Sequence, residues 1–245
     1  MIPKVIHYCW FGGGPLTRAA QKCIESWKKF CPDYEIIRWD ESNYDVTKNL
    51  YMKEAYDVKK WGFVPDYARL DIIYHYGGIY MDTDVELVKP LDELLTRKAY
   101  MGFEKPGIVA LGLGFGAEKG NSIIGDLLKE YEDRRFIING KQDLTPAPMH
   151  QDPYFKRYGV TENVQYEIKE GCFIYPKDYF CPMDVETGRI NITENTYSIH
   201  NFAASWETKG SIIGGKIYRF INRHFGKKTA DCVKKIKKKI WSLFK

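Results

Sequence analysis

One stretch, residues 63–87 (FVPDYARLDIIYHYGGIYMDTDVEL), constrains this chain more than any other. Pro65 suits the first turn of a helix, and apolar residues then recur near helical spacing. The Gly77-Gly78 pair ends that helix, because glycine adopts backbone conformations that other residues avoid. The following Ile, Tyr and Met are typical of a short buried strand. The pattern therefore predicts a helix, a glycine turn and a strand, with Asp82-Thr83-Asp84 directly after the strand.

Asp82 and Asp84 are two carboxylates separated by one residue. If the strand continues through them, both side chains point to the same face. Two anions at one point repel each other unless a cation lies between them or one takes up a proton. A divalent metal ion with oxygen ligands resolves that repulsion. A DxD triplet alone is also common in solvated turns, so the triplet by itself leaves both interpretations open.

The residues around the triplet extend the pattern. They resemble the DxD segment of glycosyltransferases with the GT-A fold, in particular glycosyltransferase family 32, which includes capsular-polysaccharide sugar transferases and the yeast initiating mannosyltransferases. The resemblance depends on a fixed-spacing set: Asp66, Arg69, Gly77, Gly78, Tyr80, Asp82 and Asp84. It implies an α/β fold with a Rossmann-like, mixed and mostly parallel sheet flanked by helices. It also implies a hexosyltransferase that moves sugar from a nucleotide-diphosphate donor, such as a UDP-sugar, to a glycan or lipid-linked saccharide in bacterial surface polysaccharide synthesis, with retention of anomeric configuration.

Composition agrees with one large globular domain or at most two small ones. The chain has 245 residues, of which 44% are hydrophobic, so a disordered chain is excluded. Its six cysteines form no CxxC pair, which predicts reduced, mostly buried thiols rather than disulfides or zinc. The first residues have no signal-peptide pattern, and no window of 18 residues is apolar throughout, so we expect a cytoplasmic protein without a membrane span.

The beginning of the chain predicts a β-α-β unit, with strands over residues 4–11 and 34–39 and a helix over residues 17–30. Such units are parallel and right-handed, and ligands bind beyond the carboxyl ends of their strands. The resemblance implies that Trp10 stacks on the nucleotide base and that Gly12 allows close approach. Trp10 as an ordinary core residue is the alternative.

Asp66 and Arg69 are three residues apart and share a helix face. As a surface ion pair they would contribute under about 1 kcal/mol. The resemblance implies instead that both face the donor sugar, with Asp66 accepting from hydroxyls and Arg69 donating through its planar fork. Tyr80 would close over the same pocket.

Further along the chain, residues 85–88 are predicted to continue the strand at the sheet edge, and residues 44–62 and 121–136 are predicted to be helical. Further strands are predicted over residues 100–104, 111–115, 167–175 and 179–183. The glycines in 111–115 suggest backbone close to a ligand or a crossing strand. Residues 145–158 fit an acceptor-side loop, in which His150, Gln151 and Asp152 offer polar groups for sugar hydroxyls. For Asp152, the alternative is a helix cap before Pro153.

Residues 197–206 (YSIHNFAASW) resemble the family's His-containing segment ending in Ser-Trp. The resemblance implies that His200 lies near the metal and the diphosphate, as a third ligand beside Asp82 and Asp84. A satisfied core histidine is the alternative. Mixed nitrogen and carboxylate ligation suits Mn²⁺, with Mg²⁺ as the second choice. Ser205 and Trp206 would donate hydrogen bonds to the diphosphate, completing the donor pocket.

These parts predict a reaction in which the ion offsets negative charge on the leaving diphosphate. Asp66, Arg69 and Asp82 are the predicted catalytic residues, and Trp10, Gly12, Tyr80, Ser205 and Trp206 complete donor binding with Asp82. A metal-dependent phosphotransferase or nuclease is one alternative, but it would usually need further carboxylates for a second ion.

The C-terminal segment, residues 216–245, differs from residues 1–215, the predicted catalytic domain. It holds eleven Lys and Arg against Asp231, about +10, and since the whole chain carries +5 the remainder is near −5. An apolar stripe that includes Val233, among many lysines, predicts a basic amphipathic helix on anionic lipid at the inner face of the plasma membrane. One alternative is a helix packed on the domain, and another is a protein that acts only as a membrane-binding adaptor. Binding of nucleic acid by this segment is disfavoured, because residues 1–215 carry a net negative charge.

Overall fold

The computed structural model describes residues 1–203 and 209–234. The described helices are α1 (Arg18–Phe30), α2 (Leu50–Asp57), α3 (Pro65–Tyr76), α4 (Ser122–Lys129), α5 (Ala147–Lys156), α6 (Lys177–Phe180) and α7 (Lys209–Phe225). The described strands are β1 (Val5–Cys9), β2 (Glu35–Trp39), β3 (Gly78–Tyr80), β4 (Val85–Leu87), β5 (Ala99–Lys105), β6 (Ile108–Val109), β7 (Phe115–Ala117), β8 (Ile137–Ile138), β9 (Lys141–Gln142), β10 (Tyr166–Lys169), β11 (Cys172–Tyr175) and β12 (Ser198–His200). Short 3₁₀ turns occupy Asp92–Thr96 and Leu111–Leu113.

The central sheet has the strand order β10-β11-β5-β7-β3-β1-β2, and β6 pairs with β5. In this described path, β7 and β10 run against the other five strands. Successive strand residues enter opposite hydrophobic clusters: Tyr8 packs on the side of α1 and α6, whereas Cys9 packs on the side of α2, α3 and α4. Helices therefore cover both faces, and the predicted α/β fold with a mixed, mostly parallel sheet is confirmed.

Helix α1 is built as its sequence pattern predicts. Thr17 caps it, accepting from the backbone N–H of Ala20, and the buried residues are Ala20, Cys23, Ile24 and Trp27. The indole N–H of Trp27 donates to the carbonyl oxygen of Val85 at 2.8 Å. The helix thereby holds the chain just beyond the DxD turn.

The unit α3–β3 also follows the prediction. Gly77 and Gly78 have φ of +69° and +101°, and a Cβ on Gly78 would lie 2.8 Å from the carbonyl oxygen of Val5. Only glycine allows this approach of backbone to β1. Because β3 pairs with β1 in parallel, the carboxyl ends of both strands meet at one edge. Trp10 and Asp82 follow those two ends in the chain.

Three sequence-based predictions are wrong in this region or near it. Residues 85–88 do not continue the central sheet, because β4 pairs antiparallel with β12 in a separate two-stranded sheet. Residues 111–115 are not one strand: residues 111–113 form a 3₁₀ turn, and Gly114 with φ +109° redirects the chain into β7. Residues 179–183 are not a strand. Residues 177–180 form the single helical turn α6, which follows Pro176 and ends before Pro182.

The predicted helices over 44–62 and 121–136 are shorter in the structure. Asn49 caps α2, which occupies only Leu50–Asp57. Asn121 caps α4, and the helix ends at Lys129. Beyond α4 the chain turns so that Tyr131 and Phe136 are both buried in the core.

The six cysteines are free and five are buried, as predicted. No described helix is long and apolar enough to cross a membrane. Helix α7 crosses the predicted domain boundary at residue 215, and residues 227–234 are helical. Val233 is 40% exposed, and the remainder of the predicted apolar stripe lies outside the described residues.

Candidate active site

The DxD residues lie in a turn between β3 and β4. The backbone N–H of Val85 donates to the carbonyl oxygen of Asp82 at 3.0 Å, which closes the turn. The two carboxylates therefore converge through this turn and not through strand alternation, which corrects the basis of the prediction. The backbone N–H of Asn201 donates to the carbonyl oxygen of Asp84 at 2.9 Å and connects the turn to the end of β12.

His200 is brought to the same point by the β4–β12 ladder, in which it pairs with Val85. Its Nε2 lies 3.2 Å from Asp84 Oδ1. One ligand atom from each of Asp82, Asp84 and His200 lies within 4.8 Å of the others. The structure therefore brings together the three residues predicted to bind the metal.

The chemistry of this group fits a divalent ion. Burial raises the pKa of Asp84, but the His200 imidazole and the Ala203 backbone N–H outweigh it, so the pKa is lowered and the carboxylate is ionised. Burial raises the pKa of Asp82, which its attraction to Arg69 opposes. His200 Nδ1 is buried and has no hydrogen-bond partner among the described residues. Two carboxylates and an imidazole are a mixed nitrogen and oxygen donor set that suits Mn²⁺.

Asp66 and Arg69 form a buried ion pair next to this group, with side chains 5% and 8% exposed. They are therefore not a surface pair. Arg69 Nη1 lies 3.5 Å from Asp82 Oδ2, and the guanidinium stacks 5.4 Å from the centre of the Tyr80 ring. The Tyr80 hydroxyl donates to Asp82 Oδ1 at 3.0 Å. Arg69 and Tyr80 thus hold the Asp82 carboxylate from two sides.

Both Asp66 oxygens have partners: one pairs with Arg69, and the other accepts from the Tyr51 hydroxyl at 3.4 Å. Burial raises the pKa of Asp66 to about 6, although the Arg69 charge opposes this. The positive charge of Arg69 is therefore shared between Asp66 and Asp82. A direct contact of Asp66 with a donor sugar stays a prediction.

Gly112 is a site residue that no predicted role included. A Cβ at this position would overlap Asp82 Oδ2 and would lie 3.1 Å from Arg69 Nη1. Its carbonyl oxygen accepts from the Asp82 backbone N–H at 3.4 Å. The LGLG pattern indicated a close backbone approach, and the structure identifies Asp82 and Arg69 as the groups approached.

Trp10 and Gly12 lie beyond β1, as predicted. Trp10 is half-buried, and its indole N–H donates to the carbonyl oxygen of Gly14 at 2.7 Å. The Gly12 N–H donates to Glu41 Oε1 at 2.6 Å, and a Cβ on Gly12, whose φ is +97°, would lie 2.9 Å from the Trp61 ring. Base stacking by Trp10 stays a prediction, and Trp61, which is 37% exposed, adds a second indole ring at this end.

A tract of buried polar groups extends from Asp66 toward α5. The Tyr51 and Tyr131 rings are 5.3 Å apart, and the Arg134 guanidinium is 5.5 Å from the Tyr131 ring. Arg134 Nη1 lies 2.8 Å from Nδ1 of His150, which is a residue of α5. Several buried polar atoms of this tract and of α5 have no hydrogen-bond partner among the described residues: Tyr131 Oη, Arg134 Nε, Asp152 Oδ1 and both polar atoms of the Gln151 amide. His150 Nε2 lies 3.4 Å from Asp143 Oδ2.

Unpaired buried polar groups are uncommon and each requires an explanation. Gln151 is 3% exposed and Asp152 is 8% exposed. Asp152 lies inside α5, where its Oδ2 pairs with Lys156 at 2.5 Å, so the helix-capping alternative is wrong. Its acceptor-side role stays a prediction. Ser205 and Trp206, the predicted diphosphate donors, lie outside the described residues.

Comparison with known proteins agrees with this geometry. Residues 17–101 match the model of the glycosyltransferase sugar-binding region containing the DXD motif. Inositol phosphoceramide mannosyltransferase 1 of Schizosaccharomyces pombe is 30% identical over 111 residues, which are 41% of this chain and 33% of that protein. Mannosyl phosphorylinositol ceramide synthase SUR1 of Saccharomyces cerevisiae is 31% identical over 117 residues, 43% of this chain and 28% of that protein. The chain spans about a third of the length of these curated relatives.

Solved structures that match this chain weakly include the PaToxG glycosyltransferase, with 16% identity, a TM-score of 0.45 and coverage of 63% of this chain and 69% of that chain. The galactosyltransferase LgtC in complex with donor and acceptor sugar analogs has 12% identity, a TM-score of 0.42 and coverage of 87% and 93%. Residues 17–101 are thus similar to the DXD-containing sugar-binding region of glycosyltransferases, and the chain has the α/β fold described above. This match agrees with the resemblance stated from the motif residues, which lie within residues 17–101.

Proposed function

We propose that this protein transfers a sugar from a nucleotide-diphosphate donor to a glycan or lipid-linked saccharide. The observation that carries the proposal is the grouping of Asp82, Asp84 and His200 within 4.8 Å, in a chain that matches the DXD region. The group lies near the carboxyl ends of β1 and β3, where ligands of such sheets bind.

The three residues would hold a divalent ion, which when bound supplies positive charge to the diphosphate. Arg69 adds a buried cation 3.5 Å from Asp82, and Asp66 on its other side fixes its orientation. A buried, preorganised charge interacts more strongly with developing charge than a solvated one does. Arg69 is thus oriented before any substrate binds, and the ion would supply the positive charge that balances the two carboxylates and the diphosphate.

The unpaired atoms of the tract toward α5 supply the sugar contacts in this proposal. The Gln151 amide offers both donor and acceptor groups, and the Tyr131 hydroxyl offers either. Sugar hydroxyls need both kinds of partner. The tract adjoins Asp66 through Tyr51 and Tyr131, so a sugar bound there would have its diphosphate toward Asp82 and Asp84.

The finer features of the proposal are a UDP-sugar donor, retention of configuration, Mn²⁺ as the ion and a role in bacterial surface polysaccharide synthesis at the inner face of the plasma membrane. The names of the curated relatives describe mannosyltransferases, which makes nucleotide-activated mannose the second candidate donor. A two-metal phosphotransferase is less well supported, because Asp82, Asp84 and His200 form the single group of potential metal ligands found in residues 1–203 and 209–234.

The test is a screen of nucleotide sugars for hydrolysis and transfer, with Mn²⁺ and with chelator. We expect turnover of one donor class that Mn²⁺ supports and chelator abolishes. Calorimetry should show that this donor binds more tightly with Mn²⁺ than without it. Cleavage of nucleic acid or nucleoside triphosphates, with no turnover of any nucleotide sugar, would contradict the proposal.

A further inference from the structure

Helix α7 has an exposed apolar face that the sugar-transfer site does not use. Ile213, Ile217 and Phe220 are 57%, 50% and 60% exposed. Their spacing of four and three residues places them along one side of the helix. We call these three residues the α7 apolar face. Isolated exposed apolar residues are ordinary, but an aligned set on one helix is typical of an interaction surface.

Another side of α7 is fixed to the domain. Asn222, which is 8% exposed, donates through its side-chain amide to the carbonyl oxygen of Glu186 at 3.1 Å. Arg223 Nε donates to the carbonyl oxygen of Thr187 at 2.9 Å. Just beyond the end of α7, Lys227 pairs with the Glu186 carboxylate at 2.6 Å. These contacts use the polar side of the helix and leave the α7 apolar face exposed.

The residues around the face are cationic. Residues 209–234 contain seven Lys and Arg, of which Arg223 and Lys227 contact the domain, and one acidic residue, Asp231. Lys216 is exposed and directly precedes Ile217, and Arg219 directly precedes Phe220. A helix with an apolar face and basic flanks binds in the interface of a membrane that contains anionic lipids.

Charge distinguishes the possible occupants of this face. Residues 235–245 carry five lysines and no acidic residue, so folding them over the face would place like charges together. A second copy of α7 would do the same. Nucleic acid would pair with the cations but not with an isoleucine and phenylalanine face. An anionic lipid surface is complementary to both the apolar and the charged groups.

We propose that α7 docks this protein on anionic membranes, with Ile213, Ile217 and Phe220 inserted at the interface and the flanking Lys and Arg on the lipid headgroups. This surface lies N-terminal to the apolar stripe of the tail and is distinct from it. It is also independent of the sugar-transfer site.

The test is co-sedimentation of the full chain with phosphatidylcholine vesicles, with and without phosphatidylserine. The wild-type protein should bind the vesicles that contain phosphatidylserine and lose binding as salt is raised, since salt screens the headgroup attraction. Phe220→Ser should weaken binding about tenfold or more, because the ring no longer enters the interface. Ile138→Ser, at a residue of similar exposure (51%) on β8, is the matched control and should bind as wild type.

Wild-type vesicle binding by Phe220→Ser and by Ile217→Ser would overturn the proposal. So would a dimer in solution that Phe220→Ser converts to a monomer, since a second copy would then be the occupant. Donor hydrolysis without vesicles should be unchanged in Phe220→Ser. If no variant or wild-type protein hydrolyses any donor, the sugar-transfer proposal fails, while the vesicle result still decides the docking surface.

Discussion

Asp84 and His200 lie 3.2 Å apart, carboxylate oxygen to imidazole nitrogen, although they come from different parts of the chain. The antiparallel pairing of β4 with β12 fixes this approach, and the Ala203 backbone N–H donates to the second Asp84 oxygen at 2.8 Å. The carboxylate therefore has a fixed orientation, with its pKa lowered by these partners despite burial. A preformed anionic group of this kind is suited to hold a cation.

Replacing either member of the pair should remove metal-supported activity. In Asp84→Asn and in His200→Ala, we expect Mn²⁺ binding, measured by electron paramagnetic resonance of the free ion, to weaken strongly. Donor turnover should fall at least about 100-fold, as for other losses of charge stabilisation at a reacting group. Glu86→Gln removes an exposed carboxylate from β4 outside the group and should retain both properties. Unchanged Mn²⁺ affinity in both site variants would refute the ligand assignment.

Gly112 should be necessary for the position of Asp82. In Gly112→Ala, the new methyl group would overlap Asp82 Oδ2 and crowd Arg69, so the carboxylate must move. We expect Mn²⁺ affinity and donor kcat/KM to fall about tenfold or more, and the overpacking to lower the free energy of unfolding by about 1–3 kcal/mol. Gly215→Ala, where a Cβ meets no atom within 4 Å, is the control. Wild-type kinetics and Mn²⁺ binding in Gly112→Ala would show that the overlap is absent in solution.

Local patterns predicted much of the fold because the relevant contacts are near in sequence. The buried face of α1 and the helix, glycine turn and strand of α3–β3 follow from spacing and from glycine geometry alone. The grouping of Asp82 and Asp84 was predicted from the DxD motif and from the resemblance to the glycosyltransferase family. The two carboxylates approach each other because of a turn and not because a strand continues through them.

Other features depend on contacts that no local pattern contains. The β4–β12 ladder joins residues far apart in sequence, and so residues 85–88 were placed at the wrong sheet edge. The LGLG glycines signalled a close approach without identifying Asp82 as its target. Gln151 was predicted only as one of several polar groups in an acceptor-side loop. Its burial without a hydrogen-bond partner is visible only in the three-dimensional structure.

His7 should make stability depend on pH. Trp39 Nε1 donates to His7 Nδ1 at 3.1 Å, so that nitrogen carries no proton, and His7 Nε2 lies 3.0 Å from the Gly77 carbonyl oxygen. Burial lowers the pKa of His7 from 6.5 to about 4, and the bond to Gly77 opposes this. Between these values the unfolded chain binds more protons than the folded one. The contribution of His7 is therefore complete above the unfolded pKa and is lost as pH falls toward the folded one.

The measurement is urea unfolding at about pH 7.5 and about pH 5, a range over which this linkage should lower the free energy of unfolding by about 2 kcal/mol. In His7→Gln, which retains a side-chain donor for Gly77, that part of the pH dependence should disappear. His224→Gln, at an exposed histidine of α7, should retain the wild-type dependence. An identical pH dependence in wild type and His7→Gln would show that His7 does not stay neutral in the folded state.

Replacing Gln151 with an apolar residue should weaken substrate binding without lowering the stability of the protein. Its amide is buried without a partner among the described residues, and such a group costs about 1–3 kcal/mol. Gln151→Leu, of similar volume, should therefore leave the free energy of unfolding unchanged or raise it by about 1 kcal/mol, while donor kcat/KM falls about 10- to 100-fold through lost hydrogen bonds. Urea unfolding and steady-state kinetics measure the two effects, and Gln142→Leu, at an exposed position of β9, should change neither. A destabilised Gln151→Leu with wild-type kinetics would assign the amide a structural role, because its loss would then weaken the folded protein and leave substrate binding unchanged.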